Sequence, residues 1–448
     1  MNKILVIGAG RSSSALINYL LDQSARNNWQ LIVADMDLEM AKARIGNKPA
    51  GRAVQMDIMD ISTRREIIKE CDLVISLLPA FLHTKVARDC LEYSKHLVTA
   101  SYVSSEMHEL AERARKKGLM FMGEMGLDPG IDHMSAMEKL DEIKSDGGNI
   151  HSFKSYTGGL IAPESDDNPW HYKFTWNPRN VVLAGQGTAQ FLKNGRFKYI
   201  PYNRLFTRYD LVDIQDMGPY EMYPNRDSLL YRYAYNIEDI PTIIRGTLRH
   251  RGFCDAWNVF IRLGLTDDTY PIVNSEFLTY REFVQAYLLD DSNRSLVEKV
   301  ADFIGVHKHS EVMKKVEWTG LFSDEKIGIS NATPAQILEH LLKSKWQLQP
   351  EDKDMIIMQH EFEYSLGSEA KKLTSTMILK GENSQDTAMS KLVGLPLAIF
   401  VTLFLKGTPF STDSSIPVNR EIYAPVLKEL EEHGVVFKEK VEGMDVTD

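Results

Sequence analysis

Two kinds of apolar spacing alternate along the first 122 residues. Ile4-Leu5-Val6-Ile7 is a continuous apolar run that stops at Gly8, and the stretch to about Ser24 then places its apolar residues at helical spacing. Leu31-Ile32-Val33-Ala34 is continuous again and ends in Asp35. An unbroken run suits a parallel strand covered on both faces, so this opening predicts strand, turn, helix, strand. The alternation continues through a helix over Leu38 to Ile45 and strands at Ala53 to Met56, Cys71 to Pro79 and His96 to Ala100. A charged helix over Ser105 to Lys117 and a sixth strand at Leu119 to Met122 complete it.

Beyond Asp141 the pattern changes. A strand-like stretch from Ile150 to Tyr156 opens a region rich in Gly, Pro, Trp and Tyr that runs to about Pro241. From Ile243 to Trp346 helical periodicity dominates, with Leu296, Val297, Val300, Phe303 and Ile304 on one stripe. Thr333-Pro334 with Gln336 reads as a capping box with proline at the first helical position. Met355 to Tyr364 and Leu373 to Leu379 read as a hairpin turning at Ser365 to Ser368, and the chain ends in helices and a short Val435-Val436-Phe437 strand. The expected class is α/β: an N-terminal Rossmann-type parallel sheet over 1–130, to which about 385–448 returns, a second α/β domain over 131–242 and 350–384, and a helical insertion over 243–349.

The string Gly8-Ala9-Gly10-Arg11-Ser12-Ser13 between strand and helix gives this opening a chemistry. Gly8 permits the tight turn, and Gly10 lets backbone approach a pyrophosphate at the positive helix N-terminus. Ser13 stands where the dinucleotide fingerprint has its third glycine. An acid closing the second strand accepts hydrogen bonds from a ribose diol and repels a 2′-phosphate, so Asp35, with Asp37 beyond it, points to NAD rather than NADP; the alternative is that Asp35 only ends a strand. Ligands of open parallel sheets sit outside the carboxyl ends of the strands. Leu77, Leu78 and Pro79 are therefore expected to line the cofactor together with Gly8, Gly10, Arg11, Ser12, Ser13 and Asp35, and Ala100 to Val103 and Gly123 to Gly130 should border the same crevice.

The chain has 448 residues, 43% of them hydrophobic and 25% charged, and a formal net charge of -10. That length suggests two or three domains, and the negative field argues against nucleic acid or an acidic membrane as a partner. Three cysteines without metal or CxxC spacing read as reduced, mostly buried thiols and point to the cytoplasm; no metal site is expected. The run Leu392 to Leu405 contains Gly394 and Pro396 and is shorter than the roughly 20 residues that span a bilayer, so a buried helix is expected.

Three further strings carry candidate chemistry: Thr99 to Val103, Gly126 to His133, and Tyr223 to Ser228. Each also has a structural reading: Ser101-Tyr102 as a wet loop, Pro129-Gly130 as a turn, and Asp132 as the cap of a helix starting at His133. Together with Asp72 to Pro79, Gly158 to Pro169, Tyr172-Lys173-Phe174, Arg245 to Arg249, Asp354-Met355-Ile356 and Ala388 to Pro396, they resemble the L-glutamate-forming saccharopine dehydrogenase (saccharopine reductase) family over nearly the whole chain.

The resemblance implies a homodimeric oxidoreductase of lysine metabolism whose second domain serves substrate binding and dimerisation. It implies oxidation of saccharopine, with NAD and water, to L-glutamate and 2-aminoadipate 6-semialdehyde. Its substrate contacts fall on Ser101, Tyr102, Asp128, Arg226, Thr247, Leu248 and Arg249. Saccharopine carries three carboxylates, and Arg226, Arg245 and Arg249 offer planar forks that match them; a structural pairing with an acid such as Asp227 is the competing role. Asp128 and Tyr102 are the catalytic candidates that position the amine and water, with a bound water network as the alternative base, and His133 reads as structural. Thr157 stands where the family often has cysteine, which excludes a thiol mechanism at that position. The alternatives are a related amine dehydrogenase, such as a carboxynorspermidine dehydrogenase, and a non-catalytic NAD-binding homologue.

Overall fold

The computed structural model describes residues 1–184, 186–289 and 293–444. Residues 185 and 290–292 and the last four of the segment 385–448 lie outside the described residues. The chain divides into two compact units, one of Met1–Ile150, Ser365–Glu369 and Met377–Lys438, the other of the remaining segments.

The first unit is built on a parallel sheet of six strands: β1 (Lys3–Ile7), β2 (Gln30–Asp35), β3 (Gly51–Gln55), β4 (Leu73–Ser76), β5 (His96–Thr99) and β6 (Phe121–Met122), in the order β3-β2-β1-β4-β5-β6. The order reverses beside β1, which pairs β2 on one edge and β4 on the other. A reversal of this kind opens a crevice at the carboxyl ends of the strands. Ile4, Leu5, Val6, Leu31, Ile32 and Val33 are buried, as continuous apolar runs require. The helix Ser14–Asn27 turns Leu16, Ile17, Leu20 and Leu21 inward.

The apolar run near the end of the chain forms the helix Ala388–Leu405, capped by the Thr387 hydroxyl and largely buried. It packs along the first helix. Gly394 sits so close that a Cβ there would lie 2.9 Å from the Leu16 nitrogen, and the Ser390 and Ser14 hydroxyls are 2.7 Å apart.

The second unit carries a nine-stranded sheet: β7 (Asn149–Ile161), β8 (Ala189–Lys193), β9 (Arg196–Ile200), β10 (Asp210–Ile214), β11 (Gly218–Pro224), β12 (Thr242–Arg249), β13 (Asp354–Leu366), β14 (Glu369–Lys380) and β15 (Phe437–Met444). Its main path runs β10-β11-β12-β7-β13-β14-β15, with β8 against β12 and β9 against β8. Three sequence expectations need correction here. Ile243 does not open the helical region: β-branched Thr242, Ile243, Ile244 and Thr247 lie on a strand paired in parallel with β7, and helices resume at Phe253. Phe303 leaves the apolar stripe and is exposed, with the Arg262 guanidinium 5.4 Å from its ring centre. The last strand begins at Phe437 rather than Val435 and is mostly exposed, with four of its eight residues charged, because it lies at the sheet's edge.

Around Trp170, Trp257, Trp346, Phe253 and Phe260 the helices of this unit share one aromatic core. The capping box at Thr333 and Gln336 is formed as expected.

Candidate active site

The glycine turn leaves β1 with Gly8 at φ +107°, a conformation that side chains rarely adopt, while a Cβ on Gly10 would meet nothing within 4 Å. The backbone at Gly10 thus faces open space, which fits a dinucleotide's pyrophosphate. Ser13 is buried, and its hydroxyl donates to the Gly10 carbonyl at 2.8 Å, so the residue in the third-glycine position closes the turn. Arg11 is exposed and Ser12 half-buried. Leu77 brings its carbonyl under Gly8; it and Leu78 are half-buried and Pro79 is exposed at the end of β4.

Asp35 does more than end a strand. Its carboxylate accepts the Ala9 N–H at 2.7 Å and the Asp37 N–H at 2.9 Å. Each oxygen keeps a lone pair for a further donor. Arg44 donates to the carbonyls of Ala9 and Gly10 at 3.2 Å, so a cation that sequence spacing did not single out also braces the turn.

At the carboxyl ends of β5 and β6 two loops meet. The Tyr102 hydroxyl donates to Asp128 Oδ1 at 3.1 Å, with Tyr102 exposed and Asp128 half-buried. Ser101 is held from beneath by His83, whose Nε2 lies 2.8 Å from its hydroxyl and whose Nδ1 lies 2.8 Å from the Ser76 hydroxyl. Burial pushes the His83 imidazole down to about 4, so near neutral pH it is uncharged, donating to one serine and accepting from the other. Sequence reasoning missed His83; its only signal was its position one turn beyond Pro79.

The loop after β6 is held from inside. Glu124 is buried, Oε1 accepting the Val103 N–H at 3.0 Å and Oε2 lying 2.8 Å from His133 Nε2. The helix expected to start at His133 starts at Ile131, and Asp132 accepts the Gly130 N–H at 2.6 Å from within its first turn. Gly130 is at φ +147°, and a Cβ there would fall 2.0 Å from the Gly126 carbonyl oxygen. Asp128 therefore sits on a loop that closes backbone against backbone.

In the second unit, alternation along β12 puts Arg245, Thr247 and Arg249 on one face and Leu248 on the other. Leu248 belongs to the apolar core with Tyr156 and Met222, so any ligand contact it makes is through its main chain. Arg249 is buried among aromatic rings, 5.2 Å from the Tyr172 centre and 5.3 Å from that of Phe253. It donates to the Leu248 carbonyl, while its Nε has no hydrogen-bond partner among the described residues. No carboxylate among the described residues pairs with it, which leaves the fork for an anion. Arg245 is buried against the Tyr231 ring at 4.2 Å, and Arg226 is exposed beside Asn225. Thr157 lies beside Thr247 in the β7–β12 register. All three thiols are buried, and burial pushes each upward, so none is poised as a nucleophile.

Two family profiles cover the chain: a saccharopine dehydrogenase NADP binding domain over 4–122 and a saccharopine dehydrogenase C-terminal domain over 126–435. Saccharopine dehydrogenase [NADP(+), L-glutamate-forming] from Saccharomyces cerevisiae is 33% identical, with 98% of each chain matched. The rat mitochondrial alpha-aminoadipic semialdehyde synthase is 35% identical over 97% of this chain and 47% of its own length; the chain spans about half of that relative. The apo structure of the L-glutamate-forming saccharopine dehydrogenase from S. cerevisiae superposes with a TM-score of 0.87 at 31% identity, covering 99% of this chain and 100% of that one.

Proposed function

The chain belongs to the saccharopine dehydrogenase family, and we propose that it oxidises L-saccharopine with a nicotinamide dinucleotide and water to L-glutamate and 2-aminoadipate 6-semialdehyde. The observation that carries the reading is the Tyr102–Asp128 hydrogen bond at the carboxyl ends of β5 and β6, where chemistry on a parallel sheet is expected. The bound nicotinamide would take up hydride from the substrate carbon that bears the secondary amine.

Hydride leaves only when that amine is neutral, so a group must hold or accept its proton. Asp128 is suited to this, and the Tyr102 hydroxyl orients its carboxylate. After oxidation the carbon is an imine, and the same pair positions the water that adds to it and passes a proton to the departing nitrogen. Ser101, Arg226 and Thr247 to Arg249 are the proposed substrate contacts. Arg249 supports this most directly, since a buried guanidinium without a carboxylate partner is suited to an anionic ligand.

Gly8, Gly10, Arg11, Ser12, Ser13, Asp35, Leu77, Leu78 and Pro79 are the proposed cofactor residues. Asp35 supports NAD, whereas the fungal relatives' names specify NADP(+). A homodimer and a cytoplasmic location complete the reading, the first on the resemblance and the second on three unpaired thiols.

The test is reduced-cofactor formation with saccharopine at mildly alkaline pH, using NAD and NADP in parallel and detecting glutamate. Saccharopine-dependent turnover with NAD favoured is expected. Turnover with NADP favoured overturns the cofactor assignment alone; nucleotide binding without turnover on saccharopine overturns the substrate.

A further inference from the structure

The two loops that carry Tyr102 and Asp128 are separate in sequence, yet one buried side chain touches both supports. Glu124 Oε1 accepts the N–H of Val103, the residue next to Tyr102, and Oε2 meets His133 Nε2 on the helix that follows the Asp128 loop. The Glu124 main chain makes a third tie, its N–H donating to the Ser101 carbonyl at 3.0 Å. Glu124 holds φ +53°, a left-handed conformation that a residue other than glycine keeps only when its surroundings over-determine it. His133 is fully buried and Glu124 nearly so, and a half-satisfied carboxylate at such a site is costly.

We propose that Glu124, paired with His133, is the positioning residue that fixes the separation of Tyr102 and Asp128. The carboxylate is bidentate between loops: one oxygen sets the height of the 100–103 loop, and the other anchors it to the helix Ile131–Ser145. Asp132 and Gly130 hold the far side of the second loop, so the Asp128 carboxylate cannot follow if the first loop shifts. Neither Glu124 nor His133 touches the reacting atoms. The proposal rests on the reading of Tyr102 and Asp128 as acting on substrate, but its structural half does not.

The experiment uses the full-length chain with Glu124→Ala, Glu124→Gln, Glu124→Asp and His133→Gln. Amide hydrogen exchange followed by mass spectrometry reads the clamp without any substrate. Glu124→Ala should quicken exchange by about tenfold or more in both 100–104 and 126–133, with β1 to β4 unchanged. In kinetics it should lower kcat about 10–100-fold, as expected for a misplacement near 1 Å, while KM for the dinucleotide stays within about twofold.

Glu124→Gln should restore most of the loss, because its amide oxygen accepts the Val103 N–H and the rest of the amide keeps the reach to His133 Nε2. Glu124→Asp, one methylene shorter, reaches only one partner and should behave like Glu124→Ala; it and His133→Gln serve if Glu124→Ala does not fold. Unchanged exchange in either loop overturns the clamp. Equal losses in kcat and dinucleotide affinity, with Glu124→Gln no better than Glu124→Ala, overturn the positioning role. A wild-type chain that does not turn over saccharopine sinks the substrate reading alone, and the exchange data still decide the clamp.

Discussion

Thr157 lies directly beside Thr247 across the parallel pairing of β7 and β12, with its hydroxyl buried and without a hydrogen-bond partner among the described residues. An unpaired buried hydroxyl costs on the order of 1–3 kcal/mol. Thr157→Val keeps the shape and removes that cost, so the melting temperature should rise. If the hydroxyl instead serves the substrate, KM for saccharopine rises; calorimetry and kinetics on one variant separate the two.

Arg249→Lys keeps the charge and removes the planar fork. KM for saccharopine should rise about tenfold or more, with KM for the dinucleotide within about twofold. Equal changes in both would show that the guanidinium supports the fold through its aromatic surroundings and not the ligand.

Asp35→Ser removes the charge that repels a 2′-phosphate. The ratio of kcat/KM for NAD over NADP should fall about tenfold, which is ~1.4 kcal/mol. Because Asp35 also receives the Ala9 N–H, some loss of affinity for both cofactors is expected as well. An unchanged ratio would remove Asp35 from the ribose.

Acid should weaken the fold through its buried imidazoles. Burial holds His83 and His250 down to about 4, against about 6.5 in an unfolded chain. The unfolded state binds the proton first, so the stabilisation is whole above about pH 6.5, declines as pH falls, and has gone by about pH 4. Each group contributes on the order of 3 kcal/mol across that window. Denaturant melts of His83→Gln should show a shallower slope than the parent between those pH values and the same slope above pH 7.

The nucleotide unit was legible because its signals are local. Ile4 to Asp35 carries strand, turn, helix and strand within reach of one another, and Thr333 to Gln336 announces its own cap. The strand Thr242–Arg249 was not legible as an edge of the helical region, since its identity depends on pairing with β7, its Thr242 standing opposite Ser152 and its Thr247 opposite Thr157. Glu124 and His83 escaped for a similar reason. A carboxylate or imidazole gains meaning from the partners the fold brings to it, and neither spacing nor composition records those partners. Tyr102 and Asp128 were marked as crevice residues because each follows a sheet strand, and as catalytic candidates through the resemblance; their hydrogen bond joins loops 26 positions apart.

The close seat of the helix Ala388–Leu405 against the first helix has a consequence for how this protein is made. The two serine hydroxyls that join them are 376 positions apart, so the groove along Ser14, Ala15 and Leu16 stays unfilled until the segment around Ser390 has been made. Contacts of such separation form late and slowly. The dinucleotide unit is closed only by a segment far downstream of its opening strand, and a chain that stops before Gly394 leaves the helix Ser14–Asn27 with an apolar side facing water.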